Sequence, residues 1–463
     1  AHCHFYGYGI DKEKINLTGT SSFQEVLNVV RENQAKRFGG WIFGRGWDQN
    51  DWEDRSFPDN SVIDSLFPDV PVLLLRIDGH AALVNSKALE LTGIDRSSYI
   101  PGGELIMKDG ELTGILLDNA VDSVHNMVPD ASNDASVLAM KKAQEDCFAV
   151  GLTTVTDAGF KGGGLKSDII EIIKEMIKDS SLMIRINAMA SLDEISMYSE
   201  GRYSSEHLMV NGFKAYADGA LGSRGACLLE PYLDKPGSHG FLIHEPGKLR
   251  DWIRAVDELN MQINIHCIGD SAHRFILQEY NNILNGANPN RWRIEHAQVI
   301  DPPDLKLYSN SGILPSVQPT HATSDMYWAE ERLGPERMAG AYAYKDLLEC
   351  NGIILNGSDF PVESINPLFG FYAAVARKDQ KGFPDQGFLP EQKLTREQAL
   401  RAMTSWAAFG AFMEDLIGTI EVGKRADMVI LEKDLMTAPE DELFSIRVLE
   451  ARVSGIRVYS MSE

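Results

Sequence analysis

The feature that most limits the fold is a rhythm. From "GLTTVTDAG" (residues 151–159) onward, short β-rich runs alternate with longer helical stretches, the pattern of βα units laid on a parallel sheet. Strands are expected near Thr153–Thr156, Met183–Ala188, Gly212–Ala217, Gln262–His266, Trp292–Glu295, Ile313–Val317 and Ile353–Asn356. The runs "INI" and "IILN" suit strands buried on both faces. Helical spacing of apolar residues marks stretches such as "KSDIIEIIKEMI" and "SVLAMKKAQEDCFAV". The opening "AHCHF" adds the end of a first strand, so the count reaches eight, that of an α/β chain folded as a TIM-type (β/α)8 barrel.

Two parts stand outside the rhythm. Between about residues 6 and 134 lies a long insertion after the first strand, with "WIFGRGWDQNDW" and "PVLLLRIDGHAALVNSKAL". It is too long for a bare βα loop and is expected to be a subdomain at the barrel mouth. The tail "GTIEVGKRADMVILEKD…VLEARVSGIRVY" alternates apolar residues with glycines and reads as antiparallel strands of a small β domain. The division expected is a barrel over 1–417 and a small domain over 418–463.

Charge narrows the partners. A formal net charge of −23 argues against nucleic acid and anionic membrane surfaces, and points to a small-molecule substrate. No apolar run is long enough to span a bilayer, and no secretory signal opens the chain. Five scattered cysteines without a CxxC pair suggest reduced thiols and a cytoplasmic setting. A homo-oligomer is compatible with all of this.

On an extended strand His2 and His4 point the same way, and Cys3 the other, so two imidazoles converge as a metal grip. Two surface histidines would look the same. Further candidate ligands fall at C-terminal strand ends, where barrels build their sites. They are Lys214 in "NGFKAYADG", His266 in "INIHCIGD", His296 in "WRIEHAQVI" and Asp359 in "ILNGSDFPV". Each has a plain reading, a carbonyl-bonded histidine or a helix-capping aspartate, but jointly those readings require four coincidences.

With these residues in place, the sequence resembles the amidohydrolase superfamily, in the branch that includes N-substituted formamide deformylases. The resemblance covers nearly the whole chain. It implies metal ligands at His2, His4, His266, His296 and Asp359, and a carboxylated Lys214 bridging two divalent metal ions. It also implies that "GTIEVGKRADMVIL" returns into a small β-sandwich domain. Family members begin with strands of that sandwich and a "PGFxDxH" approach, and this chain starts at Ala1, so a native N-terminal segment is expected to be absent from it.

The expected chemistry is hydrolysis of a non-peptide C–N bond, an amide or an N-substituted formamide, by a metal-bound hydroxide. Zinc is the expected metal, since nitrogen and carboxylate ligands without thiolate suit it. Lys214 would enter as a carbamate formed with carbon dioxide. Asp359 is the candidate proton shuttle, and His321, in "SVQPTHATSD", a candidate donor to the oxyanion or else a residue that orders its loop. Asp78, His80 and Asn85 in "RIDGHAALVN" either line the pocket or hold the insertion together. Arg224 in "GALGSRGA" is a candidate substrate contact, although such arginines often bond carbonyls. Trp47, with Trp41, Trp52, Tyr327 and Trp328, is a candidate apolar wall or plain packing. Strand alternation turns Cys3 and Cys267 away from the metals. An esterase or lactonase with the same metals, or an inactive binding protein on this scaffold, are the alternatives.

Overall fold

The computed structural model describes residues 1–160 and 163–461. Its centre is a curled parallel sheet of seven strands. In spatial order they are Leu355–Asn356, Leu314–Val317, Arg293–His296, Gln262–Cys267, Leu208–Tyr216, Arg185–Ser191 and Thr154–Asp157. Each of the seven strands expected from residue 153 onward is present, within a few residues of the run that marked it, whereas the opening "AHCHF" forms only an isolated bridge, Cys3 to Asp157, so among the described residues the sheet is a curled half-barrel and not the eight-stranded barrel expected. A short strand, Tyr203–Ser204, adds antiparallel to the 208–216 strand.

Side-chain alternation explains the sheet. In the 262–267 strand, Ile263, Ile265 and Cys267 join the apolar cluster shared with the outer helices. Gln262, Asn264 and His266 take the other face, and all six are buried. Outside, the helix Ser167–Lys178 buries Ile170, Ile173 and Met176, a stripe of one residue per turn.

Residues 1–4 lie along both ends of this sheet. Cys3 N donates to Thr156 O (2.9 Å) and Cys3 O accepts from Ala158 N (2.8 Å). On the other side, Asp359 N donates to His2 O (2.9 Å) and His4 N to Phe360 O (2.8 Å). Gly357 permits the approach, because a Cβ there would stand 2.4 Å from His2 N.

The long insertion forms its own six-stranded sheet, in the order Ile15–Asn16, Ile42–Trp47, Val72–Arg76, Ala81–Val84, Glu111–Asp118, Gly103–Lys108. The first three strands pair in parallel and the rest antiparallel. Its two faces bury separate clusters, Trp47, Leu74, Leu83 and Leu117 on one and Phe43, Leu73, Leu75 and Leu116 on the other. The tail folds as one antiparallel sheet of Met428–Leu431, Val448–Val453 and Ile456–Ser460. The expected sandwich is thus reduced to a single layer among the described residues: three strands supply one sheet, not the two that a sandwich needs.

Candidate active site

A cavity of about 540 Å³ opens where the C-terminal ends of the parallel strands meet the insertion. Strand register sets its floor. Lys214 and Tyr216 project from one strand beside Asn264 and His266 of the next, and His266 stands level with Glu295. His296 breaks the alternation. Its backbone and that of Ala297 are left-handed (φ 74° and 46°), and this turn swings the imidazole inward, to 4.5 Å from the His266 ring and 5.0 Å from that of His2. Asp359 is left-handed too (φ 58°). Such backbone is costly for residues with a Cβ and collects at functional sites.

Asp359 is the hub. Its Oδ1 lies 3.3 Å from His2 Nε2 and 3.1 Å from His4 Nε2, and its Oδ2 lies 3.9 Å from His296 Nδ1 and 3.8 Å from His321 Nε2. The far nitrogens of the first two rings are held elsewhere: His2 Nδ1 by Glu295 Oε2 (2.5 Å) and His4 Nδ1 by Gly159 O (2.9 Å). His296 Nδ1 is held by Gln318 Oε1 (2.8 Å). A histidine fixed through one nitrogen presents the other as a lone pair, the usual support behind a metal ligand.

The donor set fits a divalent cation. His2 Nε2, Asp359 Oδ1, Lys214 Nζ and His321 Nε2 are buried and lack a hydrogen-bond partner among the described residues, a costly state for four polar atoms in one place. Ligand atoms of His2, His296 and Asp359 all lie within 4.8 Å of one another. Burial, with Lys214 adding to it, lowers His2, and burial and the neighbouring imidazole take His266 well below the ordinary range, so both rings are neutral. Burial would raise the Asp359 carboxyl, but His2 and His4 outweigh it and hold it ionised. Burial also lowers the Lys214 amine to about 8, and the amine lies 4.7 Å over the Tyr216 ring.

The structure therefore brings together His2, His4, Lys214, His266, His296, His321 and Asp359. His80 joins them from the insertion: it lines the cavity, its Nδ1 meets Asp118 Oδ1 at 2.7 Å, and its ring is 4.9 Å from that of His266. Two candidates stay apart. Trp47 is packed in the insertion core, its indole N–H donating to Leu74 O (2.8 Å). Arg224 pairs with Asp234 (2.6 Å) and is not among the residues that line the cavity. Asn85 holds the insertion together, accepting from Val72 N and Ala88 N and donating to Phe67 O and Val70 O. Trp41 and Trp52 are likewise core residues, whereas Trp328 lines the cavity. Cys3 and Cys267 face the apolar cluster.

Sequence reading passed over Glu295, although it sits beside His296 and, by alternation, shares a face with Arg293, to which it is ion-paired at 2.7 Å. It also passed over Asp118, Asp122, Gln318 and Glu363. A charged residue inside "WRIEH", a strand otherwise fit for burial, was the available signal.

Clustered imidazoles and a carboxylate at the C-terminal ends of parallel strands, with unsatisfied atoms on His2, His321 and Asp359 among the described residues, define the class of metal-dependent hydrolases. The chain belongs to the amidohydrolase family, whose model matches residues 1–459. It is 34% identical over 476 residues to the protein LONG AFTER FAR-RED 3 of Arabidopsis thaliana, covering 99% of this chain and 81% of that one. To the N-substituted formamide deformylase of Arthrobacter pascens it is 24% identical over 482 residues, covering 99% and 86%. Among solved structures, an uncharacterized metal-dependent hydrolase from Pyrococcus horikoshii superposes with a TM-score of 0.75 at 27% identity, over 95% of this chain and 86% of that one. No helix among the described residues is long and apolar enough to cross a membrane.

Proposed function

We propose that this protein is a metal-dependent hydrolase of a small molecule, cleaving a non-peptide C–N bond in an amide or N-substituted formamide. The observation that carries the reading is the set of orphaned buried atoms on His2, Lys214, His321 and Asp359 around one carboxylate. His2, His4, His266, His296, Asp359 and a carboxylated Lys214 would hold two divalent ions, zinc by the chemistry of the donors. When bound, the ions supply Lewis acidity and a nucleophilic water at neutral pH.

The chain's own residues do the rest. Asp359, ionised and central, takes a proton from the attacking water and returns it to the leaving nitrogen. His321 Nε2, 3.8 Å from Asp359, donates to the developing oxyanion. Glu295 and Gln318 hold the rings of His2 and His296. The lowered Lys214 amine supports carbamate formation, because only the neutral amine reacts with carbon dioxide. His80 contacts the substrate from the insertion side.

In this reading residues 1–4 are the end of the first strand of a (β/α)8 barrel spanning 1–417, with 6–134 inserted after it and 418–463 part of a separate small β domain. Five free thiols suit a reducing compartment, the cytoplasm. Amidohydrolase family membership and the likeness to a formamide deformylase support the C–N bond over an ester. The test is turnover by metal-loaded protein of matched formamides, amides, esters and lactones. Formamide or amide cleavage lost on chelation is expected, and cleavage of esters alone would overturn the bond assignment.

A further inference from the structure

Beyond the ligand cluster the cavity carries an imbalance of charge. Its lining includes carboxylates of Asp48, Asp51, Asp78, Asp122 and Glu363 against guanidiniums of Arg45 and Arg76. Both guanidiniums are already engaged. Arg76 lies between Asp48 and Asp78, with Nε on Gln49 Oε1 (2.9 Å). Arg45 donates Nη1 to Asp11 (3.1 Å) and Nη2 to Ile77 O (3.0 Å), and its buried Nε has no partner among the described residues. The terminal nitrogens of both guanidiniums are thus committed to protein oxygens.

Asp122 is in the opposite condition. It lies on the helix Asn119–His125, one turn beyond the Asp118 that holds His80, and faces the cavity. Among the described residues its carboxylate takes neither a hydrogen bond nor an ion pair, and burial pushes it up to about 6. Asp118 adds a second unmet demand: its side chain is fully buried, and Oδ2 has no partner among the described residues. The Tyr216 ring bridges this wall to the ligand cluster, 6.0 Å from His80 and 5.2 Å from His266, and its hydroxyl feels the charges of both Asp359 and Asp122. A cavity-facing carboxylate that takes no hydrogen bond and no ion pair among the described residues, with the His80 imidazole acting on it only from beyond ion-pair distance, is a receptor for a cation.

We propose that the substrate carries a cationic group, an ammonium or guanidinium, beyond its scissile bond, and that Asp122 receives it. This rests on the hydrolase reading for the bond but not for the binding. A cation at Asp122 gains a charge-assisted hydrogen bond where the empty site has none. An anionic substituent meets the carboxylates of Asp118 and Asp122 there, with the His80 imidazole already held by Asp118, so the same wall disfavours it.

Two pairs of probes test the idea on metal-loaded protein. Butylguanidinium and butylurea share size and a planar head and differ in charge, so calorimetry compares binding without turnover. N-formylcadaverine and N-hexylformamide compare kcat/KM in the same way. The cationic member of each pair is expected to win by about tenfold or more at low salt, and Asp122→Asn to bring each pair within about threefold. Equal binding of butylguanidinium and butylurea to the parent protein overturns the proposal whether or not the variant folds. A cation preference that survives Asp122→Asn overturns it too. If butylguanidinium wins while neither formamide is cleaved, the cation site stands and the bond assignment falls. If both formamides are cleaved equally and the binding pair is equal, the hydrolase stands and the cation site falls.

Discussion

The two larger sheets meet at one cavity and treat polar residues in opposite ways. The parallel sheet leaves His2 Nε2, Lys214 Nζ and Asp359 Oδ1 buried and unsatisfied, so it is completed only by something it binds. The insertion sheet completes itself: Arg76 is enclosed by Asp48, Asp78 and Gln49, and Asn85 uses its side-chain oxygen and amide four times over. Among the described residues the exceptions include Arg45 Nε and Asp118 Oδ2, on residues that line the cavity, and Asp122, which lines it without a hydrogen bond or ion pair. The lesson is that burial with satisfied partners marks architecture, and burial without them marks a binding site. Changes on the parallel sheet should therefore act on chemistry or metal, and changes on the insertion side on selectivity.

The largest effect is expected at the hub. Asp359→Asn keeps shape but cannot carry a proton, so turnover should fall by about a hundred- to ten-thousand-fold with the fold retained by circular dichroism. A loss of only a few-fold would move the proton shuttle to another residue and remove the distinction between the two sheets at its strongest point.

Next comes Lys214, whose cost in the metal-free protein is set by pH. Its amine lies at about 8 when folded against an ordinary 10.5. Below 8 both states hold the proton and the burial penalty is fully present. Between 8 and 10.5 the unfolded chain binds a proton that the folded chain does not, so stability rises with pH, by about 3 kcal/mol in all. Denaturant midpoints of parent and Lys214→Met, measured across that window, should diverge in favour of the parent as pH rises. Parallel curves would mean that the amine is not desolvated.

How much of this the sequence carried follows the same division. The candidate ligands were legible because strand ends in a βα rhythm are fixed by hydrophobic patterning, and His266 and Asp359 stand at such ends. The orientation of His296 was not legible, since simple alternation opposes it to Glu295 and only a left-handed turn restores it. Trp47 misled because indole in a Gly-Asp-rich stretch suits a wall and a core equally, and the core of a second sheet cannot be foreseen without its pairing. Asp118 and Asp122 were illegible for the same reason: their position comes from contacts between the insertion and the parallel sheet, far apart in sequence.

Glu295→Gln should have a smaller effect than either. It keeps an acceptor for His2 Nδ1, now 2.5 Å from the carboxylate, but removes the charge that makes the imidazole a better donor to a metal and leaves Arg293 without its ion pair. Metal affinity, measured by competition with a chelator, should weaken by about ten- to a hundredfold. Unchanged affinity would mean that the ring is oriented by packing alone.

The smallest effect is expected at Arg224. Its guanidinium lies 2.6 Å from Asp234, but Asp234 also receives Arg332 at 2.5 Å, so Arg224→Ala leaves no carboxylate unpaired. The pair is partly open to solvent, which limits its worth to about 0–1 kcal/mol. The backbone at Arg224 is left-handed (φ 68°), and alanine bears that conformation no better or worse, so the strain is carried unchanged into the variant. Turnover and KM should both stay within about twofold of the parent, because the residue does not line the cavity. A tenfold rise in KM with kcat unchanged would instead show uniform binding energy lost with the guanidinium. That result would extend the substrate beyond the present cavity, toward the 224–234 loop, and make an anionic end group compatible with a protein whose inner wall is acidic.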